Sequence, residues 1–263
     1  MVYSYCQKDN KLISYKMSET TEKNEETRVG PLSLTVDVVI FSLRPLDALQ
    51  VPEVPGSDIF QELQVLLIRR AKEPFENLWA LPGGRVHPNE SLEQSAARQL
   101  AEKTSLRAAY LEQLYTFGCL NRDPRGRTVS VVYYALVRSD KQEIAPGPGA
   151  VEARWFPADH LPAPLAFDHS EILGYALWRL RNKVKYAHIA FQFLPPTFTL
   201  SQLRAVYEAI MGRKEDPGNF KRKVEANGAI VKTEARVEGG RHRPPSLYRA
   251  IVQTDLLHRG PVS

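Results

Sequence analysis

The sequence predicts an α+β chain in two parts, a strand-rich sandwich followed by a unit of two helices and a hairpin. Three observations carry this expectation. Apolar runs rich in Val, Ile and Tyr recur between residues 35 and 156 around one long helical pattern. From residue 199 the pattern changes to two short capped helices and a Gly-Gly turn between alternating segments. Finally, ten Lys and Arg against five acids fall between Arg213 and Arg249, an excess equal to the whole chain's net charge of +5. On charge alone, a nucleic-acid-facing surface and a solvated charged surface are equal readings.

The 263 residues are 43% hydrophobic and 25% charged, the profile of a globular protein. Two domains of ordinary size are expected. No run approaches the roughly 18 apolar residues of a spanning helix, and no secretory signal opens the chain, so the expected location is the cytoplasm. Cys6 and Cys119 lie far apart and are expected to be free thiols.

Residues 1–31 are polar and aperiodic and read as a disordered arm, within which Met17 is an alternative start. Thr35 to Leu43 (TVDVVIFSL) is a strand that pairs, across a Pro-rich loop at about 44–62, with Gln64 to Arg70 (QVLLIRR). Pro82-Gly83-Gly84 is a turn, and a helix from Leu92 to Lys103 starts with a capping box of Ser91 and Gln94. Strands follow at 109–118, 127–137 and 152–156, then a connecting helix at about 169–184. IAFQF at 189–193 reads as a short strand. Thr199 caps the next helix, with Gln202 closing a capping box, Phe198 and Leu203 as a hydrophobic staple, and Gly212 as its stop. Asp216 and Pro217 open another helix that runs to Gly228. A hairpin with a basic tip (RHRPP) completes a winged helix-turn-helix. The expected division is 1–31 arm, 32–160 first domain, 161–185 connecting helix and 186–263 winged helix.

Residues 84–106, GRVHPNESLEQSAARQLAEKTSL, carry Gly84, Glu90, Arg98, Leu100, Glu102 and Leu106 at fixed spacings after an LPG. This resembles the Nudix box and implies an α/β/α sandwich. The resemblance also implies magnesium held by carboxylates at the positions of Gln99, Glu102 and Lys103, helped by the Gly83 carbonyl. Spaced i, i+3 and i+4, these side chains share one helical face. Hard cations take oxygen anions, yet here only Glu102 is acidic and Lys103 brings a positive charge. Two like charges near 4 Å cost about 4 kcal/mol at an effective dielectric of 20. The expectation is weak or absent hydrolysis, with no cofactor required and magnesium relevant only to a residual activity.

Lys103 has two readings, a fixed cation facing a bound pyrophosphate or a side chain turned to solvent. Glu90 and Arg98 read as a structural ion pair rather than direct catalysts. Glu152 matches the extra acid of some Nudix enzymes and, with Glu102, is the residual metal candidate. Arg122 and Arg125, in RDPRGR, suit phosphate or ribose through their guanidinium forks. Arg70, Gly83 and Arg85 complete the basic and loop lining expected around a ligand. Trp79, Phe117 and Tyr134 either stack on an adenine or belong to the core.

Together the altered box, RDPRGR, PLAFDHSEIL and FLPPTFTLSQLRAVYEAIMG with NFKRKV are similar to the NrtR family of Nudix-related transcriptional regulators of NAD metabolism. That resemblance covers about 32–250. It implies a homodimer repressing NAD biosynthesis or salvage genes from a palindromic operator, with ADP-ribose or a related metabolite as effector. The second helix of the winged domain would enter the major groove with Asn219, Lys221, Arg222 and Lys223. Thr199, Ser201, Arg241, His242 and Arg243 would hold the phosphate backbone. The connecting helix is the expected lever, with Tyr175 and Trp178 at an interface or in the core. The competing readings are an active ADP-ribose pyrophosphatase and a protein-binding scaffold.

Overall fold

Strand β1 (Ser33–Pro45) carries two apolar stripes. Val36, Val38 and Ile40 pack with Ala96 and Leu100 on one side of the sheet. Val39, Phe41 and Leu43 pack with Ile172, Leu173 and Ala176 on the other. Side chains alternate along a strand, so a strand covered on both faces reads as an unbroken apolar run. Each Leu, Ile or Phe removed from water in this way contributes about 1.5–3 kcal/mol.

The computed structural model describes residues 31–45, 61–108, 110–138, 143–186, 188–236 and 245–251. The expected arm before residue 31, most of the loop at 44–62 and the wing-tip residues Arg241, His242 and Arg243 lie outside them. Around β1 the sheet is mixed. β2 (Gln61–Arg70) runs antiparallel to β1, with Ile40 opposite Leu66. β3 (Trp79–Ala80) and β7 (Ala150–Pro157) both pair with β2. β4 (Gly83–Arg85) pairs with the start of β1. β5 (Tyr110–Phe117) is antiparallel to β6 (Thr128–Leu136), which lies parallel to β1 with Val36 beside Val131.

Helix α1 (Leu92–Thr104) covers one face. Its expected capping box forms: the Gln94 amide N–H donates to Ser91 Oγ at 3.2 Å and the Ser91 amide N–H to Gln94 Oε1 at 2.8 Å. Helix α2 (His169–Tyr186) covers the other face, which makes the α/β/α sandwich. α2 is therefore a layer of the first domain as well as its connection to the second.

The C-terminal unit is α3 (Leu200–Met211), α4 (Pro217–Ala226), β8 (Ile230–Arg236) and β9 (Ser246–Ala250). Thr199 and Gln202 form the expected box, and Gly212 ends α3 in the left-handed region at φ 68°. Residues 189–193 are not a strand but part of a 3-10 helix, His188–Phe193. Burial of Ile189, Ala190 and Leu194 follows helical rather than alternating spacing. The strand position is taken instead by Phe198, whose backbone exchanges hydrogen bonds with Tyr248 at 2.9 and 2.8 Å. No boundary interrupts the core: Leu194, Phe198, Leu203, Val206, Ile210 and Phe220 belong to the same cluster as Val39, Phe41 and Ile172. No helix among the described residues is long and apolar enough to cross a membrane.

Candidate functional site

The turn between β3 and α1 lies against the sheet too closely for any side chain. A Cβ at Gly83 would collide with Asp37, and one at Gly84 would meet the Gln99 amide. Glu90 reaches back to Arg98 through two bonds of 2.5 and 2.8 Å and accepts the His87 amide N–H at 2.7 Å. The Arg98 guanidinium holds the Glu90 carboxyl at about 2, far below the ordinary carboxylate value. This is the structural pair the sequence suggests.

Arg98 also donates to Glu102 at 3.2 Å and to the Arg85 carbonyl at 3.2 Å. Gln99 is buried, and its amide satisfies both neighbours by donating to the Gly83 carbonyl at 3.1 Å and accepting from Arg98 at 3.0 Å. The carbonyl and amide that would serve a cation thus serve each other. Glu102 is held by a guanidinium, and Lys103 stands one residue on. This donor set does not fit a magnesium ion, which needs several oxygen donors free of cations. Among the described residues no three His, Cys, Asp or Glu side chains gather closely enough for a metal.

Lys103 follows neither of its two readings fully. It donates to the Pro148 carbonyl, closing the 143–149 segment over the end of α1. Burial lowers its pKa, and the positive fields of Arg98 and Arg70 act in the same direction, so its charge adds to a cationic cluster.

Arg70 ends β2 and is braced by bonds to the carbonyls of Pro74 (2.8 Å) and Lys72 (3.3 Å). Its guanidinium lies 4.9 Å from the centre of the Phe167 ring, and that of Arg125 lies 5.8 Å from the same ring. Phe75 meets Phe167 edge-on at 4.7 Å. Both phenylalanines hold a left-handed backbone, φ 63° and 53°, which a bulky side chain adopts only where its surroundings impose it. Arg125 grips Asp123 at 2.9 and 2.7 Å. Two guanidiniums around a half-buried ring, with Lys103 nearby, suit a ligand with an anionic phosphate and a flat base.

Beneath this group lies a buried polar network. Arg122, 4% exposed at its side chain, gives 2.8 Å bonds to both oxygens of Asp168 and reaches Asp37 at 3.4 Å. Ser130 donates to Asp37 at 2.6 Å. His169 Nδ1 accepts the Leu81 amide N–H at 2.9 Å, and burial pushes the imidazole pKa down, so the ring is neutral.

Several expected ligand contacts need correction. Arg122 is consumed by these carboxylates and presents no free fork. Tyr134 is sealed in the core, where its hydroxyl donates to Glu112 at 2.8 Å beside Lys183 and Tyr110, so it cannot stack on a ligand. Trp79 packs edge-on against Phe156 at 4.8 Å. Phe117 joins a row with Tyr115, Tyr175 and Trp178, of which Trp178 is 57% exposed. Glu152 is paired with Arg69 at 3.0 Å rather than with Glu102. Arg85 is exposed and Gly83 half-buried at the mouth of the turn. The residues missed by sequence reasoning are Phe75, Phe167, Asp168, His169 and Asp37. The only signal for three of them was the PLAFDHSEIL motif, to which no roles were assigned.

On the opposite unit, Asp216 caps α4 by accepting the Asn219 amide N–H at 2.8 Å, with Pro217 in the first turn. Phe220 is buried against Tyr207 at 5.6 Å, and Val224 is half-buried. Asn219, Lys221, Arg222 and Lys223 are exposed. The acidic partners are loosely held, Lys221 to Glu225 at 3.9 Å and Lys223 to Glu215 at 3.7 Å. Ser201 is exposed on the first turn of α3, whereas the Thr199 hydroxyl is occupied by its cap.

Comparison with known proteins separates the two units. Residues 190–250 match the NrtR DNA-binding winged helix domain, and residues 56–175 match the NUDIX domain. The ADPR responsive transcriptional repressor NtrR of Acinetobacter baylyi is 35% identical over 225 residues, 84% of this chain and 82% of the relative. The ADP-ribose pyrophosphatase of Methanocaldococcus jannaschii is 36% identical over 122 residues, 46% of this chain and 70% of the relative. Shewanella oneidensis NrtR, in a crystal structure complexed with a 27mer DNA, superposes with a TM-score of 0.63 at 35% identity, covering 82% of this chain and 93% of that one.

Proposed function

This chain belongs to the NrtR family, and from that premise we propose that it is a DNA-binding transcriptional repressor whose Nudix domain senses ADP-ribose or a close NAD metabolite. The observation that carries the reading is α4: a capped helix anchored by Phe220 that turns Asn219, Lys221, Arg222 and Lys223 to solvent from a core shared with the Nudix sandwich. Arg and Lys donate to guanine edges, Asn pairs with adenine, and flanking cations neutralise phosphates.

In the sensing domain, Arg70, Arg125 and Lys103 supply the charge that a pyrophosphate needs, and Phe167 with Phe75 supplies an aromatic surface. The Gln99, Glu102 and Lys103 arrangement supports a domain that binds this ligand without a metal cofactor and hydrolyses it weakly or not at all. The protein works in the cytoplasm as a homodimer on a palindromic operator, and its targets are NAD biosynthesis or salvage genes. The retained Glu90, Arg98 and Glu102 favour one alternative, an ADP-ribose pyrophosphatase with a secondary DNA-binding unit.

The test is selection from random duplex DNA in about 0.15 M salt, where screening limits purely electrostatic association, with and without ADP-ribose. A selected palindrome whose affinity changes with ADP-ribose supports the sensor. No selected sequence, with ADP-ribose consumed once magnesium is added, supports the enzyme.

A further inference from the structure

We propose that α2 carries the effector signal as a rigid lever and that Arg181 is the positioning residue that passes its movement to the DNA-facing helices. This rests on the reading of the chain as an ADP-ribose-responsive DNA-binding protein. The two ends of α2 are fastened to different parts of the molecule.

At the first end, Asp168 binds Arg122 with both oxygens while its carbonyl accepts the amides of Glu171 and Ile172 at 3.0 and 3.1 Å. The first residue of the helix, His169, holds the Leu81 amide. Leu81 lies between β3 and β4, and Arg122 shares with Arg125 the loop between β5 and β6. Phe167 directly precedes Asp168 and is held in a left-handed backbone. A ligand that displaces this ring from its contacts with the Arg70 and Arg125 guanidiniums therefore acts on the residue that leads directly into Asp168 and the start of α2.

A little over three turns later, the Arg181 guanidinium joins three elements. Its Nε donates to the Ile210 carbonyl in the last turn of α3 at 2.9 Å, and its Nη2 donates to Asp159, in the turn after β7, at 2.6 Å. Beyond this staple an open cleft of about 480 Å³ lies between the end of α2 and α4, with Val184, Phe191, Leu203, Phe220 and Lys223 in its walls. Packed elements move as blocks between discrete arrangements, and an open cleft between two of them leaves room for such a shift. The movement that Arg181 passes to α3 reaches α4 through the Tyr207–Phe220 contact and re-aims Lys221, Arg222 and Lys223. A ligand drives such a shift only through differential affinity for the two arrangements.

The experiment compares full-length wild type with Arg181→Gln, measuring ADP-ribose affinity, ligand-free operator affinity, and the factor by which saturating ADP-ribose changes operator affinity. Coupling factors of this kind are about 5- to 150-fold. In Arg181→Gln the two separate affinities stay within about threefold of wild type while the coupling factor falls to about twofold or less. A purely structural role for Arg181 lowers the melting temperature and leaves the factor intact. If wild type responds and the variant responds equally, the lever is overturned and the sensor reading stands. If wild type does not respond, both fall. Should the variant fold poorly, hydrogen exchange on wild type decides: ADP-ribose alters exchange at the amides of 209–212. Protection confined to the loops around Arg70 and Arg125 overturns the lever.

Discussion

Replacing Arg222 and replacing Lys221 with Lys223 should damage DNA binding in different ways, because α4 presents them in different directions. An α-helix advances about 100° per residue, so with Phe220 and Val224 setting the core direction, Arg222 points about 180° from it. Lys221 and Lys223 project about 100° to either side of Arg222. In a major groove that places Arg222, with Asn219 one turn back, at the base edges and the two lysines against the phosphates. The lysines give up little to get there. At 3.7 and 3.9 Å, with side chains 71% and 58% exposed, their ion pairs to Glu215 and Glu225 hold them weakly. Each lost phosphate contact lowers the slope of log K against log salt by about 0.9, or about 3.5-fold less affinity loss between 50 and 200 mM salt. Lys221→Ala with Lys223→Ala should flatten that slope by about 1.8 per recognition helix and weaken all duplexes alike. Arg222→Ala should cost about 1–3 kcal/mol on the operator and little on unrelated DNA. Fluorescence anisotropy on both duplexes across a salt series reads these quantities. An unchanged slope in the lysine variant, or an Arg222→Ala loss equal on both duplexes, would refute the assignment.

Other substitutions probe the sensing domain. Asp168→Asn strips the buried Arg122 guanidinium of its bidentate partner, a loss of about 3–5 kcal/mol, which a thermal melt should register as roughly 6–20 °C; a shift of less than about 2 °C would contradict the network. His169 is buried neutral with its pKa pushed below the ordinary 6.5, while the unfolded chain binds a proton below that value. Stability contributed by this group is therefore flat above about pH 6.5 and falls as pH drops below it, by at most about 1.4 kcal/mol per unit. His169→Asn should flatten a melting series between pH 8 and 5 in that window, and an unaltered pH profile would remove His169 as the cause. Gln99→Glu with Lys103→Glu rebuilds three carboxylates on one face of α1. Removing the like charge is worth about 4 kcal/mol per unit charge on the cation, or at least about 10³ in magnesium affinity. The variant should cleave ADP-ribose with magnesium, seen as released AMP, faster than wild type; equal rates in the two proteins would show that the wild-type box is competent.

The legible features were those whose cause is local. The capping boxes at Ser91 and Thr199, the Gly212 stop and the Asp216-Pro217 start all lie within a few residues of the groups they satisfy. The apolar run of β1 was legible for the same reason. The missed features depend on partners far along the chain: Arg122 meets Asp168 across 46 residues, and Leu81 meets His169 across 88. No spacing rule reports such pairs. For Tyr134 the sequence left stacking and core open, because adjacent β6 residues face opposite sides of the sheet and only the assembled sandwich shows that Tyr134 points beneath α2. IAFQF failed because an alternating aromatic pattern and a short 3-10 helix look alike over five residues. The altered box could be read as substitutions, but not that Gln99 turns its amide onto the Gly83 carbonyl.

As proposed, the Nudix domain senses its ligand without a metal and passes that state to a DNA-binding surface. The most direct measurement is full-length protein on its selected operator, titrated with ADP-ribose in the presence of a magnesium chelator, with the nucleotide recovered afterwards. Operator affinity should change saturably, with the ADP-ribose recovered intact. A change that appears only when magnesium is restored, and in step with consumption of the ligand, would contradict it.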